Sequence, residues 1–394
     1  MCGYIEDIKK ELRYSILSHR WSDREVLFHH FQMLHEQSVG SQDLPETTEK
    51  IEILRKYASS DSPSEPDLHK LINFLDVSTH KQCSYAWVDT VCINKESSTE
   101  LEESIRSMYA WYRDSHICIV HLSETSRHSD LGRDPWFTRG WTLQELLAPR
   151  RVAFYSKDWE QITRSDCTKR AVKGANQVEE ESEKFMWSEV ARITGIEIED
   201  LHNFKPGLYD IRKRMTWASS RKTTRIEDMA YCLVGIFDVD LSVAYGEKEK
   251  AFYRLQVEIL QNCDDMSLFD WQGQASIHSS MLAVSPACFA RHLGLHTDNS
   301  LRVSGDSICA QTNVGIRMPL VVHQLDRQSL QRSWGLPDAA IAFSILGVSS
   351  NPRYRVIMIL GMGDRPGQYV RLALVEKEMD LDSREQAPEV VFIK

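Results

Sequence analysis

The chain has 394 residues, 42% of them hydrophobic and 26% charged, which is enough core-forming material for two or three globular domains. Its 47 basic and 57 acidic side chains give a net charge of −10, which argues against a general nucleic-acid coat and leaves room only for a local basic patch. No apolar run approaches the ~20 residues of a membrane helix, and the first residues lack the apolar core of a secretory signal, so a cytoplasmic protein with no membrane association is expected.

Read in chain order, Tyr14–Leu17 is a short apolar strand that runs into polar Ser18-His19-Arg20. A helix follows, with Leu27, Phe31 and Leu34 on one face. Residues 40–67 are polar and partly Ser/Pro-rich, a mobile insertion with a short helix near Ile51–Tyr57. Leu68–Val77 has helical spacing, and Tyr85–Val88 is a second strand with Asp89 at its carboxyl end. Ser97-x-x-Glu100 spells a capping box before a helix whose face carries Leu101, Ile105, Met108 and Tyr112. Ile117–Leu122 is a third strand, Trp141–Leu147 a short helix stopped by Pro149, and Arg151–Tyr155 a fourth strand. Continuous apolar strands alternating with helices predict a parallel sheet covered on both faces, with its ligand crevice at the carboxyl ends of the strands. Ser18, His19, Arg20, Asp89 and the loop before Trp141 all fall at such ends.

Residues 156–275 read as mostly helical, including amphipathic Ile226–Phe237 and Glu247–Gln261. Six basic residues and Trp217 crowd the stretch from Arg212 to Arg225. That cluster suits phosphate binding, although a solvated face or an internal ion-pair network is the favoured reading. From Ser276 alternating apolar runs recur, separated by Gly, Pro, Asp and Ser, and predict an antiparallel sandwich. Expected boundaries are therefore 1–160 for the α/β domain, 161–275 for a helical extension and 276–394 for a β-rich domain.

The most telling stretch is Arg139-Gly-Trp-Thr-Leu-Gln-Glu-Leu-Leu-Ala-Pro149. Trp141 and Glu145 are four residues apart and share one helix face. An indole stacks on a flat ring, and a neighbouring carboxylate holds ribose hydroxyls or steadies a cationic transition state. The plainer alternative is that Thr142-x-x-Glu145 is a capping box and Trp141 is core.

The nine cysteines are odd in number and form no Cys-x-x-Cys pair, as expected of free thiols in a reducing compartment. Histidine and cysteine never cluster at ligand spacing, so no metal is expected. Cys92 follows a strand, where a nucleophile is conceivable, but a core thiol is favoured. Phosphate-binding loops, a dinucleotide fingerprint and the serine-hydrolase elbow are all missing. Any NAD would be bound as a substrate, with no resident cofactor.

Three segments, Tyr14-Ser-Ile-Leu-Ser-His-Arg-Trp-Ser-Asp23, Tyr85-Ala-Trp-Val-Asp-Thr-Val-Cys-Ile-Asn-Lys95 and Trp141-Thr-Leu-Gln-Glu145, in this order resemble the heterokaryon incompatibility (HET) domain of filamentous fungi. Arg214–Ser219, Thr223–Phe237, Tyr245-Gly-Glu247 and Ala251–Gln256 are similar to the segment that follows that domain in many members. Lys95 stands where the family usually has Gln, and Ser242 where it usually has Pro. The order of motifs also resembles a Toll/interleukin receptor (TIR) domain, with Trp141 and Glu145 matching its Trp-x-x-x-Glu helix. That likeness implies a TIR-like, flavodoxin-like sheet, with Glu145 as the residue that cleaves NAD. It also implies a cell-death role through NAD depletion.

In this reading Ser18, His19, Arg20, Trp21, Asp23, Asp89, Arg139 and Trp141 line the crevice, with Arg20 or Arg139 near the diphosphate. NAD or a related nucleotide and self-association or an incompatibility partner are the expected partners; nucleic acid is not. The alternative is a non-catalytic signalling adaptor that works by assembly.

Overall fold

The computed structural model describes residues 12–38, 68–169, 177–263, 265–291, 293, 309–320, 322–324, 338–348, 354–365, 368–378 and 389–394. The insertion at 40–67, with its expected short helix, lies outside them. The chain divides into two compact units at Lys205 and Pro206.

The first unit is built on five strands: β1 (Tyr14–His19), β2 (Tyr85–Trp87), β3 (Ile117–His121), β4 (Arg151–Tyr155) and β5 (Cys167–Thr168). They lie in the order β2-β1-β3-β4-β5. The first four are parallel, with Ser18 beside Val120 and His19 beside His121 in the register of β1 and β3. Continuous burial of Ile117–His121 and of the apolar stretch in β1 is what a sheet covered on both faces requires. The expected all-parallel sheet needs one correction. β5 pairs antiparallel to β4, and two residues were too few to show a period in the sequence.

Helices α1 (Phe28–Ser38), α2 (His69–His80), α3 (Asp89–Cys92), α4 (Ser98–Asp114) and α5 (Thr142–Leu147) surround this sheet. Alternation along β1 sorts its side chains. Leu17 joins a core with Leu71 and Phe74 of α2, Val91 of α3 and Ile119 of β3. The next residue, Ser18, points the other way, to α5. The chain visits β2 on one side of β1 and then crosses to β3 on the other. The carboxyl ends of β1 and β3 are therefore the topological switch point of the sheet.

The start of α4 corrects the expected capping box. Ser97 does accept from the Glu100 N–H at 3.3 Å, but Glu100 Oε1 accepts from the Asn94 N–H at 2.8 Å rather than from Ser97. The carboxylate thus braces the loop before the helix as well as the helix. Helices α6 (Gln177–Thr194) and α7 (Ile198–Asn203) complete this unit.

The second unit opens with helices α8 (Ile211–Ala218), α9 (Asp228–Tyr231), α10 (Val234–Phe237) and α11 (Lys250–Asn262). The single helix expected over Ile226–Phe237 is broken into α9 and α10. Phe252, Leu255 and Ile259 form the buried face of α11, as their spacing required. The basic stretch 212–225 is divided: Lys222 and Arg225 are exposed, while three of its arginines turn inward, as the internal-network reading expected. Arg214 is buried and donates to the Ile236 carbonyl at 2.6 Å, Arg221 is buried and donates to the Trp217 carbonyl at 3.2 Å, and Arg212 pairs with buried Asp270 at 3.5 Å.

Beyond these helices come the ribbon β6 (Ala275–Ser276) and β7 (Ser279–Ala283), and then β8 (Ala310–Thr312), β9 (Gly315–Leu320), β10 (Val322–Gln324), β11 (Ala340–Val348), β12 (Tyr354–Met362), β13 (Gln368–Glu378) and β14 (Glu389–Ile393). β8 to β14 form one seven-stranded sheet, ordered β10-β11-β12-β13-β14-β9-β8. The expected antiparallel sandwich is corrected in two ways. β13 and β14 are parallel, and among the described residues the layer against this sheet is the β6–β7 ribbon with α11. Alternation marks a half-buried strand but does not say what covers it. At the start of β9, Gly315 has φ +141° and lies so close to the Ile393 carbonyl that a Cβ would sit 2.5 Å from its oxygen, so only glycine lets β14 pair there.

Candidate functional site

The site is built from the carboxyl end of β1. Ser18 and His19 are consecutive, so the strand sends them to opposite faces of the sheet, and each collects its own partners.

On the α5 face, Ser18 Oγ donates to Glu145 Oε2 at 2.5 Å and accepts from the Trp136 indole N–H at 2.8 Å. All three residues are buried, Glu145 at 7% exposure. Trp136 is placed by the short helical turn Pro135–Thr138, which Asp134 starts. The Asp134 carboxylate accepts from the N–H groups of Trp136 and Glu124 and from the Thr125 hydroxyl, tying the loop after β3 to this turn. Burial first, and then the Glu145 carboxylate, push the Tyr112 phenol up; its hydroxyl donates to the Leu17 carbonyl at 2.9 Å.

Thr142 lies inside α5, after Trp141 at the N-cap, and its hydroxyl donates to the Trp136 and Arg139 carbonyls. The open crevice expected around Glu145 is corrected. All six residues of α5 are buried, so the carboxylate is enclosed, although within reach of Ser18 as the sequence suggested.

On the α2 face, His19 Nε2 lies 3.1 Å from Asp89 Oδ1, and its Nδ1 lies 3.3 Å from Lys70 Nζ and 3.7 Å from Glu25 Oε1. Lys70 also pairs with Glu25 and donates to the Arg20 carbonyl at 3.2 Å. His19, Glu25 and Lys70, with Leu17, Val26 and Val88, line a small recess beside β1. Asp89 takes a second hydrogen bond from the Trp21 indole N–H at 2.9 Å. Burial alone would raise the Asp89 carboxyl, but the His19 hydrogen bond and the charges of Lys95 and Arg139 hold it well below the usual carboxylate range. Lys95 Nζ lies 3.4 Å over the Trp21 ring, and the Arg139 guanidinium lies 5.5 Å from the same ring.

The structure thus brings Ser18 to Glu145, and gathers His19, Trp21, Asp89 and Arg139 in a second cluster. Arg20 is exposed and pairs with Glu124 at 3.3 Å, and Asp23 is exposed nearby in the chain. Trp141 is half-buried at the start of α5. Sequence reasoning missed Trp136, Glu25 and Lys70. The Asp134-Pro135 pair does signal a turn, but nothing local says that the following indole reaches β1. Cys92, expected in the core, ends α3 at an exposed position. Its thiol is pushed up, first by withdrawal of the sulfur from water and then by Asp89, which disfavours a nucleophile.

Residues 14–132 match the family described as Heterokaryon incompatibility protein (HET). Over those residues the chain is similar to a HET domain. It is also 42% identical over 187 residues to the vegetative incompatibility protein HET-E-1 of Podospora anserina, over 44% of this chain and 12% of that protein. The chain therefore spans a small part of that relative's length. No solved structure matches it. The HET match covers Ser18, His19, Trp21, Asp89 and Lys95 and ends just before Trp136. Among the described residues, no helix is long and apolar enough to cross a membrane.

Proposed function

We propose that this protein is a cytoplasmic cell-death effector of fungal non-self recognition whose TIR-like first segment, 1–160, cleaves NAD to nicotinamide and ADP-ribose through Glu145. The observation that carries this reading is the hydrogen bond from Ser18 to the Glu145 carboxylate at the switch point of the sheet. A ribose hydroxyl is the same kind of donor as the serine hydroxyl. Exchanging one for the other seats the sugar on the carboxylate, which then opposes the positive charge that develops on the ribose as nicotinamide leaves. Nicotinamide departs from a cationic nitrogen, so no strong acid is needed at the leaving group. Trp21 and Trp141 offer indoles at the approach, and Arg139 a charge for the diphosphate.

The strand order β2-β1-β3-β4 supports a TIR-like core, because its switch point is the position at which flavodoxin-like sheets bind nucleotides. The printed name of the Podospora relative supports the incompatibility role. The β-rich part of the second unit is read as regulatory.

The enclosure of Glu145 favours a second reading, in which the Ser18–Glu145–Trp136 contact is structural and the protein is an adaptor that acts by self-association. Nicotinamide release from NAD, measured over a range of protein concentrations beside Glu145→Gln, separates the two. Release that rises with assembly and is lost in the variant is expected. No release at any concentration leaves the adaptor.

A further inference from the structure

Lys95 is the unfinished part of the second cluster. Its ammonium is withdrawn from solvent and, among the described residues, has no partner within hydrogen-bond distance. It lies 3.4 Å over the Trp21 ring and 3.8 Å from Asp89 Oδ2, too far for a hydrogen bond. That carboxylate is already engaged by the Trp21 indole N–H and by His19. An ammonium has three donors, and leaving them unmet away from water is costly. Withdrawal from water accordingly lowers the Lys95 pKa, with Arg139 adding repulsion against the opposing pull of Asp89 and Glu25. Beneath it, Trp21 is large, apolar and 37% exposed, and the Arg139 charge faces the same ring. A stack of two cations on one partly exposed indole suits an anion with several acceptor oxygens beside a flat ring.

We propose that Lys95 and Trp21 form an anion site that takes the diphosphate of a nucleotide at the carboxyl end of β1. The nucleotide identity rests on the NAD reading above; the anion site rests on the geometry of Lys95. Lys95 swings its ammonium from Asp89 to the phosphate oxygens, and the indole keeps the aliphatic stem in place. Removal of the charge therefore weakens phosphate-bearing ligands and spares uncharged ones.

Equilibrium binding to the full chain is followed by Trp fluorescence and by calorimetry, with inorganic pyrophosphate, ADP-ribose and adenosine as probes. Lys95→Gln and Lys95→Arg are compared with the parent after circular dichroism shows unchanged fold. Expected are binding of pyrophosphate and ADP-ribose to the parent, at least tenfold weaker binding to Lys95→Gln, and recovery in Lys95→Arg. Binding of ADP-ribose alone, with the same dependence on Lys95, would identify the diphosphate as nucleotide-linked. Equal affinity of parent and Lys95→Gln, an equal loss for adenosine, or no binding of either phosphate probe overturns the proposal. Pyrophosphate has no glycosidic bond, so these results are independent of cleavage. Lys95-dependent binding without nicotinamide release removes the enzyme and keeps the anion site; release with no dependence on Lys95 does the reverse.

Discussion

Ser18 Oγ stands 2.5 Å from Glu145 Oε2, joining residues 127 positions apart, and the same oxygen accepts the Trp136 indole proton at 2.8 Å. One small hydroxyl therefore satisfies a buried donor and a buried carboxylate together.

Glu145→Gln keeps an oxygen that accepts from Ser18 while removing the charge. Turnover of NAD is expected to fall by ~100-fold or more with little change in substrate affinity, because the charge acts mainly in the transition state. Steady-state nicotinamide release checks this. A variant that turns over like the parent would show that Glu145 is not the catalytic group.

Ser18→Ala takes the acceptor from the buried Trp136 indole N–H and one donor from Glu145. A buried polar group left unpaired costs about 1–3 kcal/mol, so the variant should unfold at clearly lower denaturant than the parent. Chemical denaturation followed by Trp fluorescence reads this. A midpoint unchanged from the parent would contradict the contact.

His121 gives a pH-dependent term. Burial first, and then the charge of Lys70, lower its pKa to about 4; His19 adds to the lowering, while the Lys157 carbonyl and Glu25 oppose it. In the unfolded chain it returns to about 6.5, so the unfolded state binds the extra proton between these values. Stability from this group is fully present above about pH 6.5 and is lost as pH falls toward 4, by up to about 3 kcal/mol. His121→Asn should flatten the difference between denaturation midpoints at pH 7 and pH 4.5. Identical slopes for parent and variant would remove His121 from the account.

Arg371 of β13 is buried in the second unit, donates to the Phe269 and Trp271 carbonyls at 2.9 and 2.8 Å, and lies 3.9 Å over the Trp271 ring. Arg371→Ala takes the guanidinium donor from the Trp271 carbonyl and from the Phe269 carbonyl, which keeps the Trp271 N–H at 3.1 Å, and should cost about 1–3 kcal/mol; Arg371→Lys should recover little, since an ammonium lacks the planar fork. Thermal melting of the full chain tests the order parent, Lys, Ala. A lysine variant as stable as the parent would show that the fork is not needed.

The first four strands were legible because each is a continuous apolar run ending in polar residues, and Asp89 and Ser18 could be placed at strand ends on that basis alone. The partners of His19 were not. Lys70 reaches it because α2 packs along β1, Glu25 arrives from the segment between β1 and α1, and no spacing in the sequence encodes that approach. Glu145 was recognised by its turn from Trp141, but its enclosure depends on Trp136, which arrives from a separate loop. In the second unit the alternating runs gave the strands but not their neighbours. For the arginines of 212–225 a solvated face and an internal network stayed equally open, because composition does not distinguish a charge facing water from one capping buried carbonyls.

The split at the end of β1 has a mechanical meaning. A single peptide unit links Ser18, seated on the Glu145 side of the sheet, to His19, seated among Asp89, Glu25 and Lys70 on the other. Deleting one residue from β1 would send each side chain through the sheet and wire the histidine to Trp136 and the serine to the charges. The strand thus acts as a common axle. Neither cluster can be repositioned at β1 without moving the peptide that the other depends on.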